Sequence, residues 1–123
     1  MKIRNNRIEN DATTKEFDGI DAQVRDLYDE SFEISGNKFH LNTNNSALAI
    51  TLRQMTGSEE APVNIVNNEV IVVSNSEKSY GIKVGNNASN VNIANNSVNM
   101  LGEAKSSAMV ISSSTADNLK VVN

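Results

Sequence analysis

The chain has 123 residues, which is enough for one domain and short for two. Its 15 acidic and 11 basic side chains give a formal net charge of −4, so nucleic acid and an anionic membrane surface are disfavoured as partners. The absence of Cys excludes a disulfide framework, a thiolate nucleophile and a Cys-ligated zinc, and no apolar run is long enough for a signal-peptide core or for a membrane span of about 18 residues.

Asn is unusually frequent in this chain, and its positions repeat. The sequence has 20 Asn and 14 Ser but only one Pro and six Gly. A polar motif flanked by apolar residues recurs, in chain order, as IRNNRI at 3–8, FEISGNKF at 32–39, VNIVNNEV at 63–70, VNIANNSV at 91–98 and LKVVN at 119–123. A motif that returns at intervals of about 30 residues is typical of a solenoid.

Two columns of apolar residues give the period of the repeat. The first takes one residue from each motif, with spacings of 31, 31, 28 and 28 residues: Ile3, Ile34, Ile65, Ile93 and Val121. The second lies between the motifs, with spacings of 30, 32 and 27 residues: Ile20, Ile50, Ile82 and Met109. A small residue precedes each member of the second column, which indicates a tight corner of the chain at these places: Gly19, Ala49, Gly81 and Ala108.

Within each repeat the apolar residues alternate with polar ones, which predicts β-strands. In the third repeat, for example, residues 63–66 and 69–72 form two such runs, and residues 82–84 form another. The two residues between the first two runs are Asn67 and Asn68, and Asn tolerates the left-handed backbone that a sharp bend needs. Each repeat is therefore predicted to contain three short strands, with a two-residue bend between the first and the second.

Three short strands and a two-residue bend per repeat describe one coil of a parallel β-helix. The chain resembles the pectate-lyase-like superfamily of right-handed parallel β-helices, in which Asn side chains at this bend stack from coil to coil. The column that matches this ladder is Asn6, Asn37, Asn68 and Asn96. The predicted fold class is thus all-β, a right-handed parallel β-helix of about four coils, with residues 1–123 as a single domain. Because neither end carries a polar capping repeat, we expect a slice of a longer solenoid, or a solenoid completed by another chain.

The resemblance leaves the activity open, since the superfamily includes polysaccharide lyases, hydrolases and epimerases as well as phage tailspikes. The Gly-His-Gly and Arg-x-Lys motifs of polygalacturonases and the Asp-Pro-His-Glu motif of alginate epimerases are absent. The catalytic candidates come from the densest charged cluster, in the connector at 18–30: Asp18, Asp21, Arg25 and Asp26. Paired carboxylates there would act as general acid and base on a glycosidic bond or hold Ca²⁺ against a uronate, while a solvated acidic loop is the simpler interpretation. No other metal or cofactor is predicted.

The candidates for binding a sugar are polar residues that alternate outward from the strands. Tyr80 with Lys83, and Arg53 with Thr51, are placed to stack on a sugar ring and hydrogen-bond its hydroxyls. His40 also alternates outward, but as a general base it would need an orienting partner, so a surface His is favoured.

The leading functional prediction is a non-catalytic β-helix segment at the cell surface, outside the cell or on a virion, that forms a rigid scaffold and presents loops to polysaccharide. The first alternative is a polysaccharide lyase or hydrolase that uses the cluster at 18–30. The second is a segment of a phage tailspike or appendage, with adjoining coils or further copies of the chain as partners. In that case Ile71 and Val73, which point outward, would form the contact surface of a trimer.

Overall fold

The chain folds as an all-β parallel solenoid. The computed structural model describes residues 1–10, 15–23, 30–85, 87–102, 106–112 and 117–122. Within these ranges there are thirteen strands and no helix, in chain order: β1 (Lys2–Arg4), β2 (Arg7–Asn10), β3 (Phe17–Gln23), β4 (Phe32–Ser35), β5 (Lys38–Thr43), β6 (Ala47–Arg53), β7 (Val63–Val66), β8 (Glu69–Ser74), β9 (Tyr80–Val84), β10 (Ser89–Ala94), β11 (Ser97–Leu101), β12 (Ser107–Ile111) and β13 (Asp117–Val122).

The strands stack into three parallel sheets, and each sheet takes every third strand of the chain. The orders are β1-β4-β7-β10-β13, β2-β5-β8-β11 and β3-β6-β9-β12. Each repeat therefore contributes one strand to each sheet, as the sequence predicts. The solenoid winds through about three coils rather than the expected four.

The register of the strands confirms both apolar columns. In the first sheet, consecutive members of the first column are direct partners: Ile3, Ile34, Ile65, Ile93 and Val121. In the third sheet the same holds for the second column: Ile20, Ile50, Ile82 and Met109. The period read from the sequence is therefore the length of chain in one turn.

The core fills the inside of the coils. Ile65 is 0 % exposed, whereas its neighbour Val66 is only partly buried, so the inward frame of the first column is correct. Other large side chains that are essentially inaccessible come from all three sheets and, for Met55, from the connector after β6: Phe32, Phe39, Leu41, Ile50, Leu52, Met55, Val63, Val70, Ile82 and Ile93. Burying one such side chain contributes about 1.5–3 kcal/mol relative to leaving it in water.

The small residues before the second column lie inside strands β3, β6 and β9, not in a connector between strands. Ala49 and Ile50 are both 0 % exposed, so the alternation of inward and outward residues is interrupted there. At Gly81 a Cβ atom would lie 2.3 Å from Cγ1 of Val98 and 2.7 Å from the carbonyl oxygen of Ala108. Two consecutive residues can face the core here only because the first is small.

The predicted Asn ladder is present at the bend between the first and second sheets. Oδ1 of Asn37 accepts hydrogen bonds from the backbone N–H and from Nδ2 of Asn6, both at 3.0 Å. Asn68 accepts the same pair from Asn37, and Asn96 accepts it from Asn68, at 2.9–3.0 Å. Asn37 and Asn68 are 0 % and 2 % exposed. The bend is thus tied from coil to coil by buried carboxamides.

The residue before each ladder Asn makes the turn itself. These residues have positive φ angles, of 56°, 63°, 57° and 54° in chain order: Asn5, Gly36, Asn67 and Asn95. Gly and Asn adopt this left-handed conformation at low cost, which explains why these two residue types occupy the position.

A second buried polar turn, between the second and third sheets, was not predicted from the sequence. Thr43 and Ser74 are register partners, and each donates its hydroxyl at 2.8 Å to a carbonyl oxygen of the preceding coil, that of Lys15 and that of Asn45. Ser79 adds a hydrogen bond to the Ser74 hydroxyl at 2.7 Å. Buried side-chain hydrogen bonds therefore hold two of the three connections in a coil, the one from the first to the second sheet and the one from the second to the third.

Candidate functional site

Most of the described candidate residues lie on the outer surface of the third sheet. We call this surface the charged face and define it by Asp18, Asp21, Arg53, Tyr80 and Lys83. The first two belong to β3, Arg53 ends β6, and the last two belong to β9. The sequence proposed two of these residues for catalysis and three for binding, and the fold brings them onto one surface.

The charged face arises because the polar residues alternate with the buried second column. In register across the sheet, Asp21 pairs with Thr51, Thr51 with Lys83, and Lys83 with Val110. Neighbouring strands lie about 4.8 Å apart, so the side chains of this row lie side by side in successive coils. The row follows from the period of the second column, because each of its members comes one residue after a member of that column.

Asp18 and Asp21 lie on a strand, which corrects their placement in an irregular connector. The sequence grouped them with the charged residues up to position 30, but β3 runs to Gln23 because Ile20 and Ala22 pack inward with the core. Arg25 and Asp26 lie outside the described residues.

An ion pair joins the first two coils on this face. The Arg53 guanidinium lies 2.5 Å from Oδ2 of Asp21, and the two side chains are 56 % and 32 % exposed. Nε2 of Gln23 donates to Oε1 of Gln54 at 2.8 Å beside them. At this exposure the ion pair contributes at most about 1 kcal/mol to stability.

Lys83 is the cation of this face that has no carboxylate partner within the described ranges. Its Nζ lies 5.2 Å from the centre of the Tyr80 ring, a cation–π distance. The predicted pairing of Tyr80 with Lys83 is therefore present, and it leaves an ammonium group beside an aromatic ring.

Thr51 lies under this arrangement with its hydroxyl unpaired. The residue is 4 % exposed, and Oγ1 has no hydrogen-bond partner among the described residues. A shallow groove passes over it and is lined by Leu48, Thr51, Arg53, Gln54, Lys83 and Ser112. A buried hydroxyl without a partner costs about 1–3 kcal/mol, so this position is unusual. The sequence named Thr51 as a neighbour of Arg53 but gave no sign that its hydroxyl would be buried.

His40 lies on a different surface, the outer face of the second sheet. It is exposed, and its register partners are Glu9 and Ile71. A second groove around it includes Arg7, Lys38 and Glu69. The fold therefore does not bring His40 together with the charged face.

A third charged group, on the outer face of the first sheet, was missed by sequence reasoning. Arg4 of the first coil forms an ion pair with Glu33 of the second, and the Ser35 hydroxyl donates to Glu33 at 2.5 Å. The hydrogen bond from Arg4, followed by that from Ser35, lowers the pKa of Glu33 to about 2. The repeat period of 31 was the available signal, since it makes positions 2–4 partners of 33–35.

Comparison with family models, with curated proteins and with solved structures finds no match for this chain. In the part of the chain that the structure describes, no helix is long and apolar enough to cross a membrane. Nor do three or more His, Asp or Glu side chains of that part come together as metal ligands. The charged face is therefore interpreted from its own chemistry.

Proposed function

We propose that this chain is a rigid extracellular or surface scaffold that binds polysaccharide through the charged face. The fold itself is a parallel β-solenoid, and membership of the right-handed pectate-lyase-like superfamily is part of the proposal. The Asn bends support that membership because they match the residues on which the resemblance rests. Rigidity follows from the two sets of buried hydrogen bonds that join successive coils.

The observation that carries the proposal is the grouping of Tyr80, Lys83 and Arg53 on one face across two coils. A sugar chain presents apolar ring faces and many hydroxyls, and it is bound by aromatic rings together with hydrogen-bonding side chains. Such groups spread over two coils suit an extended ligand better than a small molecule. The groove over Thr51 gives the ligand a direction across the strands.

The test is to incubate the purified chain with a panel of neutral and acidic polysaccharides and to measure binding by calorimetry. The same mixtures are assayed for new reducing ends and for the ultraviolet absorbance of unsaturated products. We expect binding without turnover, and we expect Tyr80→Ala to weaken it. The control His40→Ala removes an exposed ring on the outer face of the second sheet, away from the charged face. Absence of binding to every polysaccharide would refute the proposal.

The second candidate function is a polysaccharide lyase or hydrolase. It is favoured by one observation, that the carboxylates of Asp18 and Asp21 share a face with two basic side chains. Under this alternative Ca²⁺ would bridge the carboxylates and a uronate substrate. Turnover that requires Asp21, and that Asp21→Asn abolishes while the variant stays folded, would establish the enzyme in place of the scaffold.

The proposal includes self-association through apolar surface. Ile71 and Val73 are partly buried on the outer face of the second sheet, and Leu101, the register partner of Val73, is 45 % exposed. An appendage or tailspike segment would use this patch between copies. Light scattering of the purified chain tests it, with Leu101→Lys expected to shift an oligomer to monomer.

A further inference from the structure

The hydroxyl of Thr51 indicates that the charged face is incomplete without a ligand. Thr51 faces outward, because its neighbours Ile50 and Leu52 are both 0 % exposed and inward. The residue is nevertheless 4 % exposed, and its Oγ1 bonds to nothing in the described ranges. Buried polar groups in proteins are nearly always hydrogen-bonded, so an unpaired one on an outer face needs an explanation.

The groups around Thr51 define the chemistry of the missing partner. Lys83, the register partner of Thr51, has no carboxylate partner among the described residues, and Arg53 lies two residues further along the same strand. Thr51, Arg53 and Lys83 line the same groove, and a hydroxyl donor that shares a groove with two cations suits an anionic acceptor. An anion of the chain itself already pairs with one of these cations: Asp21, the other register partner of Thr51, lies 2.5 Å from Arg53.

We propose that the charged face contains a subsite for one anionic substituent of a polysaccharide, a carboxylate or a sulfate ester, and that Asp21 occupies Arg53 only while the subsite is empty. The ligand's anion displaces the Asp21 carboxylate from Arg53, accepts the Thr51 hydroxyl hydrogen and lies against Lys83. Asp21 is then an internal competitor of the ligand, the opposite of a catalytic group. This inference depends on the proposed polysaccharide-binding function.

The displacement is feasible because the Asp21–Arg53 pair is weakly held. Arg53 is 56 % exposed and Asp21 is 32 % exposed, so water screens the pair and the cost of separating its members is small. The ligand's anion gains a hydroxyl donor and a second cation that Asp21 does not use in the structure. Exchange of one anion for another keeps Arg53 neutralised throughout.

The test measures binding of three probes: polygalacturonate, dextran sulfate and uncharged dextran. We expect the two anionic probes to bind more tightly than dextran, and Asp21→Asn to tighten them further, by about threefold to tenfold, because it removes the competitor. The matched control is Glu33→Gln, which also removes one negative charge and frees an arginine, Arg4, on another face. An equal gain in both variants would mean general electrostatics and would overturn the subsite.

The substitution Thr51→Val tests whether the hydroxyl contributes to ligand affinity independently of any effect on stability. Valine has nearly the same shape and lacks the unpaired hydroxyl, so the melting temperature should stay the same or rise. Affinity for the anionic probes should nevertheless fall, by about threefold or more, and affinity for dextran should not change. Unchanged affinity for the anionic probes would exclude Thr51 from the subsite and contradict the inference.

The probes also distinguish a carboxylate from a sulfate ester, and they separate failure of the anionic subsite from failure of the polysaccharide-binding function. Tighter binding of polygalacturonate assigns a carboxylate, and tighter binding of dextran sulfate assigns a sulfate ester. Binding of dextran as tight as that of both anionic probes, with no response to Asp21→Asn, overturns the anionic subsite and leaves the scaffold function intact. Failure of all three probes, together with the wider panel, refutes the scaffold function.

Discussion

The side-chain amide of Asn68 is hydrogen-bonded to the coils on both sides of it. Its Oδ1 accepts two from Asn37, and its Nδ2 donates to the carbonyl oxygen of Ile34 at 3.0 Å and to Asn96 at 2.9 Å. Asn68→Ala leaves these partner groups buried and unpaired. We expect the free energy of unfolding to fall by about 1–3 kcal/mol if one of them stays without a hydrogen bond, and by more if water reaches none of them. Urea denaturation with an unchanged m-value measures the loss.

The control for this substitution is Asn99→Ala, on the outer side of β11, where Asn99 is exposed. We expect a change within about 0.5 kcal/mol there. If both variants unfold at the same midpoint, the ladder does not stabilise the fold.

Glu33 gives the fold a pH dependence whose sign follows from its partners. Its pKa is lowered from 4.5 to about 2 by hydrogen bonds from Arg4 and Ser35. In the native state the carboxylate is therefore held in its charged form, and its stabilising contribution is complete above pH 4.5 and is lost as the pH falls toward about 2. Glu33→Gln should be less stable than the wild type at neutral pH, and this gap should close in acid.

The measurement for Glu33 is the urea midpoint of both proteins at a series of pH values. Because the Arg4 and Glu33 side chains are 44 % and 19 % exposed, water and ions reach the pair, and salt should shrink the gap as well. A gap that stays constant between neutral pH and pH about 2 would show that Glu33 stabilises the fold by packing and not by its charge.

At the level of the strands, stability depends on which face of a sheet a side chain occupies. Ile65 of β7 is 0 % exposed between its register partners Ile34 and Ile93, so Ile65→Ala should cost about 2–5 kcal/mol. Val66, one residue later on the outer side, is the matched control, and Val66→Ala should cost far less. Thermal or urea unfolding of the two variants measures the difference. Equal losses of unfolding free energy would mean that the assignment of Ile65 to the inner side and Val66 to the outer side is wrong.

The strands and the Asn ladder could be predicted because they depend on local alternation and on one fixed period. The repeat period alone aligns Ile3, Ile34 and Ile65, and Asn68 is recognised as a ladder residue because Asn occupies the same position in the other motifs. The hydroxyl turn at Thr43 and Ser74 could not be predicted in this way, since Ser and Thr are common in ordinary connectors and only burial separates the two cases.

The candidate site was less predictable than the fold. The row from Asp21 through Thr51 to Lys83 followed from the period, but the pair of Asp21 with Arg53 is diagonal across two strands and depends on side-chain length. The burial of the Thr51 hydroxyl depends on how the neighbouring side chains pack over it, and the spacing of residues in the sequence does not encode that packing.

At the scale of the whole molecule, the solenoid should unfold unevenly, because each coil contacts only its neighbours. Val121, the last member of the first column, is 48 % exposed, whereas Ile65 in the middle is 0 % exposed. Val121→Ala should therefore cost less than about 1 kcal/mol. Native-state hydrogen exchange should show the slowest amides in β5 and β7 and faster ones in β1 and β13. Uniform protection along the chain would contradict this gradient.

The Asn ladder also bears on the chemical ageing of the protein. Deamidation of a ladder Asn would replace its amide by a carboxylate that can only accept, and the carbonyl oxygens of Ile3, Ile34 and Ile65 would then lose their donors. The reaction begins when the next backbone nitrogen attacks the side-chain carbon. In the ladder those nitrogens, on Lys38, Glu69 and Ser97, are already committed to carbonyl oxygens of the preceding coil at 2.8–2.9 Å. The contacts that make these amides indispensable thus also shield them from the reaction that would remove them, and the ladder should outlast the exposed Asn residues around it.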